Sequence, residues 1–78
     1  MNQYNNIREK HGYWEYYHSN GNIWSKGNYI NGKLNGYWEN YYTNGNLWYT
    51  GNYINSKRIS NWEYYSYNGT LINKEFYI

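Results

Sequence analysis

Aromatic and aliphatic residues alternate with polar residues in short runs, and each run stops at an Asn-Gly pair or a close variant of one. Alternation with a period of two is typical of a β-strand that buries one face. The runs recur every 24 residues, most visibly at Trp14, Trp38 and Trp62. A fixed period of this size indicates stacked supersecondary units. Strands are predicted at residues 13–19, 22–30, 33–43, 46–54, 57–67 and 70–78.

Turn signals join these strands into hairpins. In a type I′ turn both central residues have positive φ, which makes Asn-Gly the strongest short hairpin signal. The predicted turns are Asn20-Gly21, Asn44-Gly45 and Asn68-Gly69 within the repeats, and Asn31-Gly32 and the weaker Asn55-Ser56 between them. We therefore predict an all-β fold, a single twisted antiparallel meander of three tandem β-hairpins. Its parts are an N-terminal cap or edge segment (1–11) and one domain of three repeats (12–35, 36–59 and 60–78).

Two-residue turns fix the register of the strands they join. Trp14 is then expected opposite Gly27, where its ring covers the gap that the glycine leaves. Glu15 is expected opposite Lys26, as a favourable cross-strand pair. The strictly repeated Trp, Gly, Ile or Leu, and Tyr positions fall on one face, which we expect to be the core.

The opposite face carries aromatic residues that repeat less strictly, and no predicted helix covers it. An exposed aromatic patch usually indicates a partner, a ligand or self-association. The candidate binding residues are Tyr13, Tyr17, Trp24, Lys26, Tyr37, Tyr41, Trp48 and Tyr65.

The sequence contains few residues that could act as catalytic groups or metal ligands. Glu15, Glu39 and Glu63 recur two strands apart, roughly 10 Å, which exceeds the carboxylate separation of a retaining glycosidase. The two histidines, His11 and His18, have no second metal ligand at a useful spacing, and the chain has no Asp or Cys. We predict a protein that is not an enzyme, with no catalytic residues, no metal and no cofactor.

The amino-acid composition limits the classes of molecule that the chain is expected to bind. The 14 Tyr and 5 Trp supply most of the apolar area, and the net charge of +2 is too small for a nucleic-acid footprint. No apolar run reaches membrane-spanning length, and the absence of Cys fits a reducing compartment. We expect a soluble, cytoplasmic protein (cytoplasmic in the host cell if it is viral), for which nucleic acid is a disfavoured partner.

The repeated residues resemble the MORN-repeat variant found in many bacterial and some viral proteins. The first copy carries the motif at Gly12, Trp14, Tyr17, Gly21, Ile23, Gly27, Tyr29, Gly32 and Gly36. The second copy carries it at Gly36, Trp38, Tyr41, Gly45, Leu47, Gly51 and Tyr53, and the third at Trp62, Tyr65, Gly69, Leu71 and Tyr77. The third copy departs from the pattern with Ser56, Ser60 and Glu75 in place of glycine, which we interpret as the end of the array. The resemblance implies a hairpin sheet used as an interaction platform, and it transfers no catalytic residue.

The predicted function is a non-catalytic protein–protein interaction module. It would act as a small adaptor or inhibitor that binds a larger protein through the Tyr/Trp strip, encoded by a phage or virus and directed at a host enzyme. The alternative is a small-ligand, nucleotide or single-stranded nucleic-acid binder that uses aromatic stacking. A further alternative is the antitoxin-like partner of a toxin. Homodimerisation through an aromatic face or an edge strand, at 4–10 or 70–78, also remains open.

Overall fold

A computed structural model describes residues 3–4 and 9–78. These residues form one open antiparallel sheet, and its seven strands are ordered as they occur along the chain. The strands are β1 (Gln3–Tyr4), β2 (Lys10–Tyr17), β3 (Ile23–Ile30), β4 (Lys33–Tyr41), β5 (Leu47–Ile54), β6 (Lys57–Tyr65) and β7 (Leu71–Tyr77). The predicted all-β meander of tandem hairpins is confirmed. Within the described ranges, no helix has the length and apolar character that crossing a membrane requires.

The sheet is a single layer. It measures 41 × 35 × 12 Å, so the meander stays open and neither face curls closed on itself. Two faces result. We call the side of Trp14, Trp38 and Trp62 the Trp face, and the side of Glu15, Glu39 and Glu63 the Tyr/Glu face.

The turns between repeats are the ones with type I′ character. Asn31 and Gly32 both have positive φ (48° and 83°), and so do Asn55 and Ser56 (50° and 63°). Ile30 faces Lys33 and Ile54 faces Lys57, as expected for two-residue loops. The weaker turn therefore forms as well, and the Ser56 hydroxyl accepts a hydrogen bond from the Leu34 backbone N–H at 3.0 Å.

The turns within repeats differ from the prediction. Gly21 N–H donates to the His18 carbonyl (3.0 Å), and His18 N–H donates to the Asn22 carbonyl (2.8 Å), which closes a three-residue loop. Gly21 has a φ of 92°, whereas Asn20 does not have a positive φ. This arrangement is a turn followed by a glycine in the left-handed region, which is another common hairpin loop. The type I′ prediction at Asn20-Gly21, Asn44-Gly45 and Asn68-Gly69 is therefore wrong.

A bulge next to each tip restores the predicted register. Tyr17 faces Ile23, whereas Tyr16 still faces Ser25, so Trp24 is the extra residue. The longer loop shifts the pairing by one residue and the bulge shifts it back, which leaves Trp14 opposite Gly27 as predicted. A two-residue turn at Asn20-Gly21 predicts that Tyr17 faces Trp24, and this pair does not form. The same shift occurs in β5 and β7.

The bulge exchanges residues between the faces. Because directly paired residues share a face, Ile23, Leu47 and Leu71 lie on the Tyr/Glu face and not in the predicted core. Trp24 and Trp48 move to the Trp face, where the Trp24 ring contacts Tyr16 and His18. The Trp48 ring contacts Tyr42 and Tyr49.

A second irregularity explains why glycine recurs in the strands. Gly27 lies opposite Trp38 and not opposite Gly36, because β4 has additional residues around Gly36, whose φ is 94°. A Cβ on Gly27 would lie 2.1 Å from the Trp38 ring, and a Cβ on Gly51 would lie 2.1 Å from the Trp62 ring. Each glycine is thus covered by the tryptophan of the following repeat. The predicted cover by the tryptophan of its own repeat, Trp14 on Gly27, is wrong.

The core is a ladder of aromatic rings with one ring on each strand. Centroids are 5.0–6.4 Å apart and ring planes cross at 73–88°, so every step is edge-to-face. In order from β1 to β7 the rings are Tyr4, Trp14, Tyr29, Trp38, Tyr53, Trp62 and Tyr77. Contacts of this geometry contribute about 0.5–1.5 kcal/mol each beyond buried area. Because neighbouring rings of the ladder cover one another, Trp14, Trp38 and Trp62 are only 6%, 7% and 1% exposed even though the sheet is a single layer.

A basic side chain covers the aromatic rings near each end of the ladder, and the β1 end differs from the prediction. The edge segment was expected to leave unpaired backbone from Tyr4 to Lys10, but Tyr4 pairs with Lys10 and Gln3 pairs with His11. That part of the prediction is wrong, and its remainder at residues 5–8 lies outside the described residues. Lys10 Nζ lies 5.2–5.3 Å from the ring centroids of Trp14, Tyr16 and Tyr29. At the other end, the Arg58 guanidinium covers Trp62 and Tyr77.

Candidate interaction faces

The Tyr/Glu face is built from a repeated Tyr-x-Glu-x-Tyr unit. Residues i and i+2 of a strand point to the same side, so the two tyrosines flank one carboxylate. The Tyr13 hydroxyl donates to Glu15 Oε2 (2.8 Å) and the Tyr17 hydroxyl donates to Glu15 Oε1. We call this unit a clamp. The second clamp is Tyr37 (3.0 Å) and Tyr41 (2.7 Å) on Glu39. In the third, Tyr65 donates to Glu63 (2.9 Å) and Asn61 replaces the first tyrosine.

The carboxylates form one row across the sheet with the lysines. Lys26 lies opposite both Glu15 and Glu39 in the register, as predicted for Glu15. Its Nζ forms an ion pair with Glu39 at 3.4 Å and lies 5.8 Å from the Tyr41 ring centroid. The complete row in register is Glu15, Lys26, Glu39, Thr50, Glu63 and Lys74.

In the first two clamps, the hydrogen bonds lower the pKa of the carboxyl group and raise the pKa of the tyrosine hydroxyls. Hydrogen bonds from Tyr17 and Tyr13 lower the pKa of Glu15 below its ordinary 4.5. Burial opposes the ionisation of Glu39, but hydrogen bonds from Tyr41 and Tyr37 outweigh it and lower that pKa too. Burial and the bond to Glu15 raise the pKa of Tyr13 to about 12. At neutral pH the first two clamps therefore present ionised carboxylates held by protonated hydroxyls.

A valley runs between the first two clamps. It has a volume of about 320 Å³, and its walls are Tyr13 and Tyr37, with Lys26, Gly27, Asn28 and Glu39 completing it. The rings of its walls are open to solvent: Tyr13 is 36% exposed and Tyr37 is 52% exposed. Of the eight predicted binding residues, the six other than Trp24 and Trp48 lie on this face.

Trp24 and Trp48 border the Trp face, with 47% and 41% exposure. Trp48 stacks on Tyr42 at 5.2 Å and helps to line a groove of about 500 Å³ near β7. In this groove Arg58 donates to the hydroxyls of Tyr64 (3.1 Å) and Tyr77 (3.2 Å). Both hydroxyls donate to Glu75, at 2.9 and 2.7 Å. The sequence-based prediction did not include this network, although strand alternation and the predicted pairing of Trp62 with Glu75 place its four residues on one face.

Backbone carbonyls of one hairpin tip accept bonds from the tip before it. Asn20 and Asn22 both donate to the Thr43 carbonyl, at 2.9 and 2.8 Å. Asn44 and Asn46 donate to the Tyr67 carbonyl, both at 2.9 Å. The repeated Asn-Gly-Asn thus joins neighbouring repeats as well as turning the chain. Among the described residues, His, Cys, Asp and Glu side chains form no group of three that could bind a metal ion.

These features define a class of protein: a tandem β-hairpin repeat sheet with one face occupied by its own core and one face of ordered, exposed side chains. Comparison with protein families agrees with this class. The model of the MORN repeat variant matches residues 10–31 and 34–55, more than half of the chain, so the chain belongs to that family. The third hairpin, with Ser60, Asn61 and Glu75, lies outside the matched ranges. No curated protein and no solved structure matches the chain.

Proposed function

We propose that the chain is a non-catalytic protein-binding module and that the Tyr/Glu face is its binding surface. The observation that carries the proposal is that the two faces differ in what their side chains do. The Trp face holds the ring ladder on which the fold depends, whereas the clamps hold exposed tyrosines that contribute little to the core. Tyrosine is enriched among the residues that dominate binding energy at protein interfaces.

Preorganisation supports this choice of face. A tyrosine loses little side-chain entropy on binding, and a hydroxyl already held by a carboxylate loses less. MORN repeats are typically protein-binding modules, which agrees with the proposal. The small size and the composition of the chain lead us to propose the finer role as well: a small adaptor or inhibitor, encoded by a phage or virus, that acts on a host enzyme in the cytoplasm.

The test compares matched pairs of variants on the two faces. Tyr37→Ala with Tyr41→Ala should abolish capture of a specific partner, while Trp24→Ala with Trp48→Ala should retain it. Far-UV circular dichroism checks that both proteins keep the sheet. If the Trp24 and Trp48 variant loses capture and the tyrosine variant keeps it, the binding face is the other one.

A small ligand is the second candidate, and the groove beside Trp48 favours it. The groove combines an exposed indole with the amide of Asn73 and the carboxylate of Glu75, which suits a stacked polar ring such as a sugar or base. Titration of tryptophan emission with nucleotides, oligonucleotides and glycans tests it. Saturable quenching that Trp48→Ala removes supports a ligand site, and unchanged emission excludes these ligands.

A further inference from the structure

We propose that the partner of the Tyr/Glu face is a proline-rich segment in the polyproline II conformation, with a basic residue, lying across the strands. This inference rests on the proposed function and names the chemistry of its partner. It is carried by the spacing of the clamps, by their shape and by the charge between them.

The spacing of the clamps matches one turn of a polyproline II helix. The clamps on β2 and β4 form two ridges separated by β3, so they lie two strand spacings apart, about 9.6 Å. A polyproline II helix has three residues per turn with a rise of about 3.1 Å each, so it repeats every 9.3 Å or so. Successive turns would therefore meet successive ridges in the same way. A β-strand repeats at about 6.6 Å and an α-helix at about 5.4 Å, and neither repeat matches the spacing between the ridges.

The shape of the surface suits a proline ring. The valley between the ridges has tyrosine walls and a floor at Gly27 and Asn28, with room for a small apolar ring in its 320 Å³ or so. Proline-rich segments dock in grooves lined by aromatic rings because their conformation is formed in advance. Here the rings are also fixed in advance, since the Glu15 and Glu39 carboxylates hold the hydroxyls.

The carboxylates of the clamps, and not the overall charge of the face, favour a basic residue in the segment. Lys33 and Lys57 also lie on this face, at the ends of the strands, so a cation would be held locally by one of the three carboxylates in the central row. Lys26 shows how a cation is held here, against Glu39 and over the Tyr41 ring. An arginine or lysine of the partner would find the same combination along the ridges.

The length of the surface limits the motif. Asn61 replaces the tyrosine of the third ridge, so only the ridges on β2 and β4 have both rings. Two ridges engage two prolines spaced three residues apart. We therefore expect Pro-x-x-Pro with a neighbouring arginine or lysine to be the shortest segment that binds.

The experiment uses a labelled peptide of about 12 residues, four turns of the helix, with proline at every third position and one arginine. Fluorescence anisotropy should show saturable binding to the full chain. Replacing the prolines by alanine, or the arginine by glutamate, should weaken binding about tenfold or more. Equal binding of the alanine peptide, or no saturable binding of the proline peptide, overturns the proposal.

Variants of the protein locate the site. Tyr37→Ala should reduce the affinity about tenfold, Tyr37→Phe should reduce it less, and Trp48→Ala on the other face should leave it unchanged. Asn61→Tyr should strengthen binding by completing the third ridge. An equal loss from Trp48→Ala and Tyr37→Ala contradicts the assignment.

The outcomes also separate this inference from the proposed function. If partner capture depends on Tyr37 and Tyr41 but the proline peptide does not bind, the face binds protein through other chemistry. If capture does not depend on these tyrosines, the proposed function itself fails.

Discussion

Gly51→Ala tests the ring ladder at its most buried position. The new Cβ would lie 2.1–2.6 Å from three atoms of the Trp62 ring, and Trp62 is 1% exposed, so the ring has to move. The backbone itself tolerates alanine, because Gly51 does not have the positive φ of most glycines in this chain. The expected loss of stability therefore measures the fit of the ring on the glycine.

The magnitude follows from three contributions. Overpacking a close contact costs about 1–3 kcal/mol. Displacing Trp62 weakens its edge-to-face contacts with Tyr53 and Tyr77, at about 0.5–1.5 kcal/mol each. Alanine also lowers the conformational entropy of the unfolded chain, which stabilises the folded state by about 0.4–1 kcal/mol and offsets part of this loss. We expect a net loss of about 3 kcal/mol, out of a total stability of about 4–12 kcal/mol for a chain of this size.

The assay is urea denaturation followed by tryptophan fluorescence and circular dichroism, with two controls. Gly36→Ala meets no atom within 4 Å but has a φ of 94°, so it should cost about 1–2 kcal/mol through backbone strain alone. In a Trp62→Leu background the clash disappears, and Gly51→Ala should then be nearly neutral. The reasoning is refuted if Gly51→Ala costs the same with and without the indole.

Three further predictions concern stability. Ser60→Gly should stabilise the fold by about 0.5–1 kcal/mol, because Ser60 has a φ of 63° where the other repeats have glycine; a lower denaturation midpoint would contradict this. Asn44→Ala should cost about 1 kcal/mol, because it removes the bonds to the Tyr67 carbonyl and to the Asn46 N–H; an unchanged midpoint would show that the tips do not couple the repeats. The folded-state pKa of Glu39 is lowered, so its contribution is present above about pH 4.5 and is lost as pH falls through the lowered pKa. The stability difference between the wild type and Glu39→Gln should therefore shrink in acid, and a constant difference would exclude the clamp as its source.

The large features of the fold were predictable because they follow from local chemistry. Strand alternation, the 24-residue period and the linking turn at Asn31-Gly32 all act over a few residues. The hairpin tips were not predictable from Asn-Gly alone, since the same pair fits a loop in which only the glycine has positive φ. The register was nonetheless right at Trp14 because two shifts of one residue cancel.

The candidate site was predictable only in part for the same reason. Tyr13, Tyr37 and their neighbours keep their expected face because the longer tip loop and the bulge cancel, and the two additional residues in β4 preserve the alternation. Trp24 occupies the bulge, so its side chain lies on the face opposite to the one that strict alternation assigns. The clamp itself had a usable signal, since Tyr-x-Glu-x-Tyr places two hydroxyls beside one carboxylate in any strand.

The central claim is that one face holds the fold and the other binds. The most direct measurement is the nuclear magnetic resonance footprint of the captured partner on the labelled chain. We predict shifts concentrated on the rings of Tyr13, Tyr17, Tyr37 and Tyr41, with the indole signals of Trp24 and Trp48 unmoved. Shifts concentrated on the two indoles, with the tyrosine rings unmoved, would contradict the account.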